Sequence, residues 1–243
     1  MLEIKNLTKK FKKSTVVDNV SFKVNPGEIV GLLGENGAGK TTTLRMISTM
    51  LKITSGEAVV NNFSADKEPI KVRNEIGILF GGDVGLYDRL TARENIKYFA
   101  NLYGMSDKDA DVRIDELAKK FNMEEYIDKK VSKFSRGMKQ KVSIARSIVH
   151  SPSVMLFDEP STGLDVTAAR TIQDFILDCK KENKTILFSS HSMREVEKLC
   201  DRVVIINKGK LLEDCSIDDL KEKYNNDDLE EVFVSLIGGG NHE

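Results

Sequence analysis

Apolar and polar residues alternate from the start of the chain. Leu2-Glu3-Ile4-Lys5-Asn6 places an apolar side chain on every second position, as a half-buried strand does. A second strand-like run covers Val16 to Val24 and stops at the turn Asn25-Pro26-Gly27. Ile29-Val30-Gly31-Leu32-Leu33 is apolar without alternation and reads as a buried strand. A helix is predicted over Thr42 to Leu51, then a turn at Ser55-Gly56 and a strand from Glu57 to Val60.

The period changes after about Leu86. Thr91 and Glu94 form a capping box, and Ile96, Phe99, Ala100, Tyr103, Val112, Leu117 and Phe121 recur at helical spacing. No strand candidate interrupts this stretch up to about Lys130, so it reads as a helical insertion. After Gly137 the pattern predicts helix 138–149, strand 153–157, helix 166–181, strand 185–189, helix 192–199 and strands 202–207 and 210–214. Strands alternating with helices imply an α/β fold with a mostly parallel sheet. Residues 216–243 are polar and then amphipathic through Leu229, Val232, Phe233 and Leu236. They end in Gly238-Gly239-Gly240, which is expected to fray.

Composition narrows the function. The 243 residues carry a formal charge of −1 with acids and bases interspersed, so no basic stripe for nucleic acid is present. Apolar runs such as Val203-Val204-Ile205-Ile206 are strand-length, far short of the ~18–20 residues that span a bilayer. The start of the chain does not have the pattern of a signal peptide, and a soluble cytosolic protein is expected. Cys179, Cys200 and Cys215 lack metal-type spacing and read as reduced structural thiols. His150 and His242 have no ligand-like companions in the sequence.

Three segments carry chemistry. Gly34-Glu35-Asn36-Gly37-Ala38-Gly39-Lys40-Thr41, continued by Thr42, follows an apolar strand and opens a helix. Its glycines let backbone N–H groups turn inward around phosphates, beside a helix N-terminus. Lys40 adds a point charge and the Thr41 hydroxyl suits Mg²⁺. The alternative, a glycine-rich turn with an incidental Lys-Thr, does not account for the strand–loop–helix context. Val154-Met155-Leu156-Phe157-Asp158-Glu159 is a buried strand ending in two acids. Asp158 is placed to hold Mg²⁺ and Glu159 to act as general base, unless the pair is two surface acids. Ser135 and the Gly137 N–H open a helix and form an anion site, or else Ser135 is a plain helix cap.

Phe134-Ser135-Arg136-Gly137-Met138-Lys139-Gln140 resembles the signature of ATP-binding cassette (ABC) ATPases, whose usual form is Leu-Ser-Gly-Gly-Gln. Lys40, Ser135, Asp158 and His191 stand in that family's order, and the resemblance covers nearly the whole chain. It implies a P-loop NTPase cassette: a core of residues 1–86 and 134–215 with an N-terminal antiparallel β part, a helical subdomain over about 87–133, and a C-terminal extension over 216–243. It implies ATP and Mg²⁺, with Ser135 and Gly137 serving the γ-phosphate held by a second cassette in a homodimer. His191 matches the switch histidine. Ser161-Thr162-Gly163-Leu164-Asp165 matches the D-loop at the dimer interface and also reads as an ordinary helix cap region, two readings that are compatible. Phe11 matches the adenine-stacking aromatic, the alternative being a core Phe. The partner implied is a polytopic permease, with the chain peripheral on the cytoplasmic face of the membrane.

Ile78 to Thr91 resembles the sodium-export (Nat-type) subunits, and Leu229-Glu230-Glu231-Val232-Phe233 resembles exporter subunits generally. The implied function is ATP hydrolysis driving Na⁺ export, with drug, antibiotic or lipid export as alternatives. A ribosome-acting ABC ATPase would carry two cassettes in one chain, and a DNA-repair member a long coiled coil between Lys40 and Ser135. A chain that only binds ATP as a regulatory module would not need Glu159. Two departures stand out. Gly81 occupies the place of a glutamine that touches Mg²⁺ and the attacking water, leaving water or Asp83 to substitute. Arg136 replaces a signature glycine, its guanidinium either beside the γ-phosphate or in solvent.

Overall fold

The computed structural model describes residues 1–80 and 85–238. In chain order the strands are β1 (Leu2–Phe11), β2 (Ser14–Val24), β3 (Ile29–Leu33), β4 (Ser55–Val60), β5 (Phe63–Ser64), β6 (Ile76–Phe80), β7 (Val154–Asp158), β8 (Thr185–Ser189), β9 (Arg202–Asn207) and β10 (Lys210–Ser216). The helices are α1 (Lys40–Ile47), α2 (Pro69–Glu75), α3 (Ala92–Leu102), α4 (Asp107–Lys120), α5 (Arg136–Ile148), α6 (Val166–Lys181), α7 (Met193–Leu199), α8 (Ile217–Tyr224) and α9 (Leu229–Gly238). A four-stranded antiparallel sheet has the order β2-β1-β4-β5, and a six-stranded sheet the order β10-β9-β3-β8-β7-β6. The latter is parallel from β9 to β6, with β10 antiparallel at one edge.

The uninterrupted apolar runs of the central strands have a simple cause. Met155 and Phe157 of β7, Ile186 and Phe188 of β8, and Val203 and Ile205 of β9 enter one core, shared with α3 to α9. Their neighbours Val154, Leu156, Leu187, Val204 and Ile206 enter a second core, shared with α1 and the antiparallel sheet. Both faces are covered, so the middle of each of these strands is apolar and polar residues such as Asp158, Thr185, Ser189 and Arg202 stand only at the strand ends. Phe121, Phe175 and Phe157 tie α4 and α6 to the sheet edge-to-face, with centroids 5.1 and 6.2 Å apart.

Helix starts follow side-chain caps. Thr91 and Glu94 make the expected capping box on α3, and Ser106, Ser135, Asp165, Ser192 and Ser216 cap α4 to α8. Between Thr91 and Lys130 the regular elements are the helices α3 and α4, residues 121–129 form turns rather than the expected helix, and the one β contact is an isolated bridge between Thr91 and Lys130.

Some expectations are corrected. The strand read over residues 2–6 runs on to Phe11, because bulges around Asn6 (φ 50°) break its alternation without ending its pairing. The helix read from Thr42 starts at Lys40, where Gly39 caps it in a left-handed conformation, and ends at Ile47. Strand β6 was not expected. Gly77 interrupts its apolar pattern because a Cβ there would press on Pro152 Cγ and the Ser147 carbonyl, each 2.8 Å away. Gly81, Asp83, Gly239, Gly240 and His242 lie outside the described residues.

Cys179 and Cys200 are buried and all three thiols are free. Burial pushes the Cys179 thiol up to about 12, and Cys200 higher still. His150 does have companions in space. Its ring stacks on Tyr103 at 3.6 Å between centroids, and its Nε2 lies 3.1 Å from the Ile76 carbonyl, joining α3 and α5 to β6. Burial lowers its pKa from 6.5 to about 4. Above pH 6.5 the ring is neutral in both the folded and the unfolded chain. Below it, only the unfolded chain takes up the proton, so this stability is lost as pH falls towards 4. At about pH 5 the loss should reach about 2 kcal/mol. Urea midpoints at pH 7 and pH 5 should therefore differ by less in His150→Gln than in the wild type. Parallel shifts in the two proteins would refute this.

Candidate active site

The carboxyl ends of β3, β7 and β8 lie together at one edge of the six-stranded sheet, where open α/β sheets place their ligands. The loop from Gly34 to Gly39 leaves β3 there and feeds α1. It is shaped by close backbone contact. A Cβ on Gly34 would strike the Ile206 carbonyl, and one on Gly39 (φ 112°) would lie 2.9 Å from the Val16 carbonyl. Glu35, Asn36 and Gly37 are exposed, while Ala38 is buried beneath them, its carbonyl accepting from Gly209 N at 3.0 Å.

Lys40 is only 6% exposed, and its Nζ donates to the carbonyls of Gly34 (2.5 Å) and Glu35 (3.1 Å). Burial lowers its pKa, offset in part by the charges of Glu159 and Asp158. Thr41 Oγ1 donates to Asp158 Oδ2 at 2.7 Å, and Thr42 follows on the first turn of the helix. Asp158 also accepts from Ser189 Oγ at 2.6 Å, so both of its oxygens are held by hydroxyls. Glu159 adopts a left-handed backbone (φ 51°), its N–H donating to the Ser189 carbonyl at 3.0 Å. Its carboxylate pairs with His191 Nε2. The structure thus brings Gly34–Thr42, Asp158, Glu159 and His191 into one cluster. Ser189 belongs to it although the sequence reading did not single it out. Its position at a strand end, two residues before His191, was the available signal.

Ser135 lies in a second cluster. It caps α5, its hydroxyl accepting from Met138 N at 3.2 Å. Among the described residues, no hydrogen bond joins it to Lys40, Asp158 or Glu159. Gly137 lets α5 approach α6 closely, since a Cβ would sit 3.1 Å from that of Ala168. Arg136 is exposed, in keeping with the solvent alternative, but it is not unattached. It donates to the Thr162 carbonyl at 2.9 Å and its guanidinium covers Gly163. Buried Gln140, the last residue of the signature-like stretch and given no role from the sequence, donates to the Pro160 carbonyl at 2.8 Å. The start of α5 is therefore fastened to the loop that follows β7. Asp165 caps α6 through Ala168 N, so the helix-cap reading of that segment holds. Phe11 is 44% exposed, not a core residue. It ends the β1–β2 hairpin that crosses Gly39 at Val16, with Lys9 Nζ 4.8 Å from its ring centre.

Residues 17–162 match the sequence pattern of the ABC transporter family. The chain belongs to that family. ABC transporter ATP-binding protein NatA of Bacillus subtilis (strain 168) is 46% identical over 244 residues, covering 99% of each chain. Bacitracin transport ATP-binding protein BcrA of Bacillus licheniformis is 40% identical over 226 residues, 92% of this chain and 72% of that one. The ATP-binding subunit of an ABC transporter superposes with a TM-score of 0.89 at 30% identity, covering 97% of this cassette and 99% of that chain. A dimeric post-hydrolysis state of the cassette MJ0796, bound to ADP and Pi, gives 0.80 at 26% identity, covering 89% and 99%. The fold is that of an ABC cassette, and the cassette is an ATPase of the kind coupled to transport. Among its described residues no helix is long and apolar enough to cross a membrane.

Proposed function

We propose that this cassette hydrolyses ATP at sites shared between two identical copies and so drives a separate permease that exports Na⁺ from the cytoplasm. The observation that carries the hydrolytic reading is the pairing of Glu159 with His191 beside an Asp158 already bonded to Thr41. The backbone from Gly34 to Gly39 and the Lys40 ammonium wrap the phosphates. Glu159 takes the proton of the attacking water, and His191 holds Glu159 and senses the γ-phosphate. Phe11 stacks on the adenine, in keeping with its exposure at the hairpin end. Mg²⁺ fits the donor set: a hydroxyl and a carboxylate oxygen converge at Thr41 and Asp158. No group of three or more His, Cys, Asp or Glu suited to a metal exists among the described residues. Such a pair suits an ion held partly by substrate phosphates, where it neutralises charge on the transferred group.

Ser135 and the Gly137 amide complete the site of the other copy. The likeness to a dimeric cassette supports this, as does the place of Ser135 at the start of α5, where its hydroxyl is bonded to Met138 N and not to the Lys40 cluster. A groove of about 310 Å³ between the core and the helices, lined by residues including Met50, Phe80, Gly85, Phe99 and Tyr103, takes a cytosolic segment of the permease. Exposed Tyr87, Tyr98 and Leu102 extend this apolar surface. The sodium reading rests on residues 78–91 and on the end-to-end similarity to NatA. The similarity to BcrA supports antibiotic export as a second reading. The test is ATP-driven ²²Na⁺ flux in vesicles holding the cassette with its membrane subunit. Flux that stops without ATP is expected. Intact ATPase activity with no flux would overturn the sodium reading and leave export of an antibiotic to be assayed.

A further inference from the structure

Glu195, on α7, is a buried carboxylate with no part in the scheme above. Its Oε1 accepts from the Ser161 hydroxyl and from Gln173 Nε2 (3.1 Å), and its Oε2 accepts from the Ser190 hydroxyl at 2.7 Å. Ser190 Oγ in turn accepts from Ser192 N at 3.1 Å, and Lys198 Nζ holds the far end of Gln173 at 2.8 Å. A carboxylate that is only 7% exposed must have its oxygens satisfied, and here hydroxyls and an amide satisfy them. The two hydroxyls belong to two different loops. Ser161 stands two residues after Glu159, and Ser190 immediately precedes His191. Glu159 and His191 meet side chain to side chain, so their contact depends on how those loops are held relative to each other.

We propose that Glu195 is a positioning residue for ATP hydrolysis, binding the loop after β7 to the loop after β8 so that Glu159 and His191 stay opposed. The inference rests on the reading of Glu159 as general base. A carboxylate suits this place because it only accepts, offering one oxygen to each loop. A glutamine keeps an acceptor for Ser161 but presents an NH₂ to Ser190, whose hydroxyl already accepts from Ser192 N. An alanine releases both loops.

The test uses the full-length cassette, with kcat, KM and equilibrium ATP binding measured separately. Glu195→Ala should lower kcat by about 10–100-fold, since a misplacement of about 1 Å costs that much. ATP affinity should stay within about twofold. Glu195→Gln, which keeps the Ser161 bond and loses the Ser190 one, should recover part of the loss, and Ser161→Ala and Ser190→Ala, which leave the carboxylate in place, should each lower kcat severalfold. Glu195→Ala should add little to the loss caused by His191→Ala, because the two act on the same contact. An unchanged kcat in Glu195→Ala would overturn the inference. So would equal losses of kcat and ATP affinity with no recovery by Gln, or full additivity with His191→Ala. If Glu195→Ala fails to fold, the two serine variants decide alone, and wild-type kcat in both overturns the proposal. Turnover surviving Glu159→Gln would remove the general-base reading and this inference with it. An inactive Glu159→Gln beside an unaffected Glu195→Ala would remove this inference alone.

Discussion

Glu159→Gln cassettes should bind ATP as the wild type does and turn it over at least about 10²-fold more slowly, the usual contribution of a positioned general base. Gln has the shape of Glu, and its carbonyl still accepts from His191, so the left-handed turn at residue 159 and the nearby Thr41–Asp158 contact should persist. What is lost is the capacity to take a proton from water. Equilibrium nucleotide binding and single-turnover hydrolysis separate the two effects. Near-normal turnover would show that the proton goes elsewhere. A parallel loss of affinity would show that Glu159 holds the loop rather than acting on water.

Lys40→Met should act in opposite directions on nucleotide binding and on the stability of the nucleotide-free chain. The ammonium is buried, and burial lowers its pKa, which means that the charged form is held at a cost. Methionine fills a similar volume without that cost, so the thermal midpoint without nucleotide should not fall. ATP affinity should drop by roughly 10–100-fold, since hydrogen bonds to charged groups contribute about 1.5–3 kcal/mol. Nucleotide titration and thermal melts on one preparation check both. A large fall in the midpoint would mean that the bonds to the Gly34 and Glu35 carbonyls hold the loop together, making Lys40 a structural residue.

Residues whose type is dictated by local physics were legible before the fold was known. Gly34 and Gly39 tolerate no Cβ against neighbouring carbonyls, and Asp158 ends a strand that is otherwise wholly apolar. Gln140 and Glu195 had no legible role. Each acts on a backbone or side chain at least 20 residues away, and nothing in its own neighbourhood announces that partner. Arg136 lies between these cases. Its departure from the family signature was visible, but its partner, the Thr162 carbonyl, is set by how α5 meets the loop after β7. The missed strand β6 was hidden by Gly77, where close packing against Pro152 removes a side chain the apolar pattern needed.

The division of the central strands between two cores also protects the chemistry against frameshifts in pairing. Side chains of unlike volume sit on opposite faces: Met155 and Phe157 on one side of β7, Val154 and Leu156 on the other. A slip of β7 by one residue would exchange these sets and move Asp158 and Glu159 along the edge by one strand repeat, ~3.3 Å. It would press phenylalanine into space shaped for leucine and leave leucine in a phenylalanine-sized hole. The position of the two carboxylates is thus proofread by bulk hydrocarbon that never meets the nucleotide.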